Sequence, residues 1–118
     1  MRKIKIPVFK TVAYLYVGMD EYPKYAKMFD DCSEIEDTHH GACGGNGIWV
    51  RDPNNKGALA HEVAHVVDFI MIEIIGMGAN QFFHQLETRA YLTEFIFNKF
   101  SDYLDGLPVD KKQNKRDK

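Results

Sequence analysis

The segment HEVAHVVD, residues 61–68, lies inside a run from residue 58 to 75 in which nearly every other side chain is apolar. Wound as an α-helix, that run would place its polar members, His61, Glu62, His65, Asp68 and Glu73, within an arc of about 140°. Such a helix is buried nearly all round with one polar stripe, so the rest of a small chain has to wrap around it. On the stripe His61 and His65 are four residues apart, offset by about 40° and about 6 Å along the axis, and can aim at one point. Zinc accepts neutral imidazole nitrogens at about 2.0–2.1 Å. A rigid pair at this spacing supplies two tetrahedral positions with little entropy left to lose. Glu62 lies about 100° round from His61. It is poorly aligned as a third ligand but well placed to reach a water in an open coordination position, where a general base is needed. The competing reading is a pair of hydrogen-bonded core histidines on an apolar helix.

A chain of 118 residues makes one domain with room for a core. Its 45% hydrophobic and 27% charged composition is that of an ordinary soluble globular protein. The net charge of −2 provides no long-range field that would argue for nucleic acid or a membrane surface as partner. In MRKIKIPVFK the apolar residues alternate with lysines, which is not a signal-peptide core, and no uninterrupted apolar run is long enough to span a bilayer. A cytoplasmic location is the expectation. Cys32 and Cys43 do not make a disulfide framework and in a reducing compartment would be thiols or metal ligands.

Taken in order, Ile4 and Ile6 alternate with lysines, and TVAYLYV is rich in β-branched and aromatic residues. These read as one long strand or two short ones with Pro7 and Lys10 at an edge or break, the second half buried on both faces. Asp20 can cap a short helix over residues 21–29. Residues 30–47 are acidic, glycine-rich and aperiodic, which reads as a long loop. GIWVR then gives a short strand, expected as a sheet edge beside the motif helix where an extended peptide could add itself, or equally as an ordinary edge strand that merely completes the sheet. Asn54 or Asn55 is a suitable N-cap for the motif helix, and Gly76 or Gly78 a suitable stop. Asn80 can begin a second long helix reaching residue 103, ended by Gly106 and Pro108. The domain is therefore expected over residues 1–108, with 109–118 a disordered polar tail.

A catalytic zinc has three protein ligands and one open position. Asp68 and Met71 stand where the HExxHxxGxxH arrangement would have its Gly and third His, so the third ligand must come from elsewhere. Glu87 is the candidate: it falls roughly twenty residues past His65 on the following helix, a separation that suits two helices joined by a short turn. Ala90, on the same side, would let those helices approach closely.

HExxH followed by a Glu on the next helix, with a small residue shortly after it, resembles the gluzincin group of zinc metallopeptidases. Within it the chain resembles the very small members: minigluzincins, ImmA/IrrE-type regulator-cleaving peptidases, and short metallopeptidases encoded by phages and prophages. The resemblance rests on GIWV, LAHEVAHVVDFI and LETRAYLTEF; it covers residues 47–100 well and the N-terminal strand loosely. It implies an α+β, zincin-like minimal domain, a small mixed sheet packed on two long helices of which the first carries HExxH. It implies Zn2+ held by His61, His65 and Glu87, with Glu62 activating the water, and a peptide or protein substrate. Larger gluzincins carry a separate Tyr or His that steadies the oxyanion; Tyr91 and His84, one turn either side of Glu87, have the right chemistry for it. Asp68, one turn beyond His65, could orient a ligand imidazole through its second nitrogen. Glu94, two turns from Glu87, is an alternative ligand.

Cys32, His39, His40 and Cys43 form a second constellation in the 30–47 loop. They fit no common zinc-finger spacing, and could make a secondary metal site, a flap over the active site, or neither. The expected activity is zinc-dependent hydrolysis of peptide bonds. The alternative is a metal-binding regulatory or host-protein-binding module on the same fold, with little or no peptidase activity.

Overall fold

A computed structural model describes residues 1–29, 38–74 and 82–108. The chain opens with β1 (Arg2–Ile6) and β2 (Thr11–Val17), an antiparallel pair in register from Arg2 opposite Leu15 to Ile6 opposite Thr11. The reversal is a short 3-10 turn, Pro7–Phe9, which begins with a residue that has no N–H to leave unpaired and closes on Lys10 at a left-handed φ of 50°. So Pro7 and Lys10 mark a break, and the two-strand reading of the N-terminus is the one that holds.

Three further elements follow β2. The helix α1 (Gly18–Met28) follows it directly, and β3 (Gly41–Gly44) and β4 (Gly47–Val50) form a hairpin whose β4 runs parallel to β2. The strand order is β1-β2-β4-β3. Two helices complete the described chain, α2 (Lys56–Phe69), extended by a π-helical turn at Ile70–Ile74, and α3 (Phe82–Asp105).

The pleat divides the sheet into two faces. Ile4, Ile6, Ala13, Leu15, Ile48 and Val50 point to one side and pack with Leu59, Val63, Val66 and Val67 of α2 and Leu92, Ile96 and Phe100 of α3. Tyr16 and Trp49 point to the other, where Tyr25 of α1 completes an aromatic cluster. There the Trp49 indole N–H donates to the Gly18 carbonyl at 2.7 Å, satisfying the one polar atom of an otherwise fully buried ring. The ring of Phe29 lies against Gly47, and a Cβ there would overlap that ring.

The protein is thus a small α+β domain with a four-stranded mixed sheet, and it departs from the sequence expectation in three places. Three helices stand among the described residues where the resemblance implied a sheet packed on two long ones: the short helix read over residues 21–29 is α1, which starts at Gly18 and packs on the second face of the sheet over β2 and β4. The stretch 30–47 is not all loop, since β3 forms within it. The GIWV strand is not an edge; β4 is flanked on both sides, and the edge beside α2 is β3. GACG carries little intrinsic strand preference and is held extended by its partner, which local pattern cannot reveal. The expected helix stops Gly76 and Gly78, the start at Asn80, Cys32 and the tail 109–118 lie outside the described residues. Among the described residues no helix is long and apolar enough to cross a membrane.

Candidate metal centre

Asn55 begins α2, its side-chain oxygen accepting from the Ala58 N–H at 3.0 Å. Asp52 folds the approach by accepting from the Asn54 N–H at 2.8 Å. With the start fixed, the helical phase of the motif is fixed too. Leu59, Val63, Val66 and Val67 go into the core, and His61 and His65 stand exposed on the opposite side. Their rings meet at 5.0 Å between centroids and 74° between planes. His61, Glu62 and His65 each offer a ligand atom, and these atoms lie within 4.8 Å of one another. Two imidazoles and a carboxylate this close together are donor groups that a divalent transition metal can take.

Glu62 differs from its neighbours in being buried, at 7% exposure. What covers it is β3: a Cβ on Gly41 would come within 3.0 Å of the Glu62 Cγ and 3.1 Å of its Oε2. Burial pushes the Glu62 carboxyl above the usual carboxylate range, opposed by the nearby His61 and His65. A carboxylate so placed is a stronger base than a solvated one. Burial, and then the charge of Glu62, also push the Cys43 thiol up to about 12.

The two helices run back along each other. Lys56 at the start of α2 donates to the Ser101 hydroxyl at 2.6 Å and to Asp105 at 2.7 Å near the end of α3, and Asp68 near the end of α2 pairs with Arg89. At that register His65 is level with about residue 92 of α3, and Glu87 lies about 7 Å further along the axis. Ile96 faces the core and Glu87 is about 180° round from it. Accordingly Glu87 is exposed and is not among the side chains gathered at the histidines. Glu94 is nearer their level, but lines a cavity on the Ala60 and Val63 side of α2 and is also outside the group.

The remaining expected residues distribute as follows. Asp68 pairs with the Arg89 guanidinium, fastening α3 to α2 one turn beyond His65. Tyr91, 40% exposed, stacks near Phe95 at 5.9 Å and lines a depression made by α3 alone, away from the histidine pair. The His84 side chain lies outside the described residues. Of the loop constellation, Cys43 is half-buried in β3, and His39 and His40 line a cavity together with His61 and Glu62. A flap over the active site is one of the readings of this segment; what brings residues 39–41 beside the motif is the β3–β4 pairing, which no local pattern encodes. No known family, curated protein or solved structure matches this chain.

Proposed function

We propose that the chain is a zinc-dependent metallopeptidase in which His61 and His65 hold the metal and Glu62 is the general base. The observation that carries this reading is the gathering of His61, Glu62 and His65, with the two imidazoles exposed and the carboxylate buried between α2 and β3. A zinc ion there would supply Lewis acidity toward a carbonyl and lower the pKa of a water. Glu62 accepts the proton of the attacking water and returns it to the departing amine, a shuttle suited by a carboxyl whose basicity burial has raised. On the gluzincin pattern the third protein ligand would be Glu87, which stands outside the gathered group in this arrangement; Glu94 is the other glutamate that α3 offers.

A second reading, a metal-binding regulatory module without robust hydrolysis, is favoured by one fact: Glu87 stands outside the gathered group. The experiment that separates them is Glu62→Gln, assayed for zinc content and for hydrolysis of an unstructured protein substrate. The peptidase reading expects zinc retained and hydrolysis abolished. A biological effect that persists in that variant sinks it. Zinc content of Glu87→Ala beside Glu94→Ala identifies the third ligand, and loss in neither removes both candidates.

A further inference from the structure

We propose that Asn55 is a substrate-binding residue, its side-chain Nδ2–H donating to a main-chain carbonyl oxygen of a peptide laid along the first turns of α2 toward His61. The inference rests on the metallopeptidase reading and deepens it by naming a substrate contact away from the metal.

A cavity of about 410 Å³ opens on the motif, and α2 with its cap contributes Asn55, Ala58, His61 and Glu62 to the lining. That volume lies within the range of small-ligand sites. The four residues follow one another at helical intervals, so they form one side of a trough that runs along the helix. Asn55 and His61 are six residues apart, which is about 9 Å along the axis. An extended chain advances about 3.3 Å per residue and turns alternate carbonyls to the same side. A peptide whose reacting carbonyl lies at the histidines therefore brings another carbonyl, about 7 Å along, within reach of the Asn55 side chain.

Asn55 has one polar group to offer there. Its backbone N–H donates to the Asp52 carbonyl at 3.0 Å, and its own carbonyl accepts from the Leu59 N–H at 3.2 Å. Its Oδ1 accepts from the Ala58 N–H at 3.0 Å. A backbone N–H can only donate, so the side-chain atom facing Ala58 is the oxygen and the amide nitrogen is left over. Among the described residues nothing accepts a hydrogen bond from Nδ2. The bonds already made hold the side chain in place, so donating to a ligand costs little further ordering. Capping needs only an oxygen, and Asp or Ser caps a helix as well as Asn does. Asn adds a donor that the cap does not use.

The test uses the full chain loaded with zinc, as wild type, Asn55→Asp and Asn55→Ser, titrated calorimetrically with hydroxamates. Both variants keep a capping oxygen for the Ala58 N–H. The aspartate has no donor, and the serine side chain is too short to replace the amide. Acetohydroxamate reads the metal centre alone. N-acyl dipeptide hydroxamates extend from the metal toward the N-terminal side of a peptide, and malonyl dipeptide amide hydroxamates toward the C-terminal side; these read the centre and the trough together. The expected result is equal zinc content, equal acetohydroxamate affinity and urea midpoints no lower than wild type in both variants. The best dipeptide hydroxamate should bind each variant about tenfold more weakly than wild type, the size of one lost hydrogen bond. If Asn55 only caps the helix, the variants match wild type with every probe, and the inference is overturned. It is overturned as well if neither dipeptide set outbinds acetohydroxamate in wild type, or if the variants weaken all probes alike. Wild-type protein that holds no zinc and binds no acetohydroxamate overturns the metallopeptidase reading itself, and the inference with it.

Discussion

Gly41→Ala is the substitution that most directly probes how β3 positions the general base. Gly41 does not have a positive φ, so no backbone strain enters. The added Cβ meets three atoms: Glu62 Cγ at 3.0 Å, Glu62 Oε2 at 3.1 Å and the Trp49 carbonyl oxygen at 3.1 Å. Carbon atoms pack best at about 3.5–4.0 Å, so Glu62 must retreat by roughly 0.5 Å or more. The strand cannot retreat instead, because Gly41 is paired with Val50 in the ladder to β4. Twisting Glu62 off its rotamer costs about 1 kcal/mol, and overpacking of this kind costs about 1–3 kcal/mol in all. A loss of about 2 kcal/mol in a chain of this size lowers the melting temperature by roughly 8 °C. The decisive assay is a double-mutant cycle on thermal unfolding, run with a chelator present so that metal linkage plays no part. In a Glu62→Ala background two of the three clashing atoms are gone, so Gly41→Ala should cost less than half as much, a coupling of about 1 kcal/mol. An equal cost in both backgrounds, or none in either, refutes the account of Gly41 as the seat of Glu62.

Asn55→Ala removes the cap on the Ala58 N–H and should cost about 1 kcal/mol in urea unfolding. Zinc at a hundredfold excess over its Kd should stabilise the wild-type protein by about 2.7 kcal/mol; in His65→Ala the thermal shift should vanish, and an undiminished shift places the metal elsewhere. Cys43 yields a pH prediction. Its folded pKa is raised to about 12, whereas an unfolded thiol ionises near about 8.5. Below both values the thiol is protonated in either state and its contribution is fully present. Above about 9 only the unfolded chain gives up the proton, so stability falls as pH climbs toward 12. Cys43→Ala should therefore flatten the alkaline side of a stability-against-pH curve measured by urea midpoints, and an unchanged slope removes Cys43 as its cause.

What the sequence determined by itself is whatever depends on residues close together in the chain. The i, i+4 spacing of His61 and His65 brings their rings together once the segment is helical, and the apolar residues around them set which way that helix faces. The Asn55 cap and the alternation in β1 are legible for the same reason. The tertiary structure alone decided the rest. β3 is a strand because β4 pairs with it, not because GACG favours one, and that pairing brings Gly41 against Glu62 and His39 to the cavity. Glu87 shares a helix with Ala90 on any reading, but its level relative to His65 follows from how α3 slides along α2, fixed by Lys56 with Asp105 and Asp68 with Arg89. Local geometry propagates over a few residues of backbone; register between elements is settled by side chains far apart in the sequence, and no periodicity within one segment encodes it.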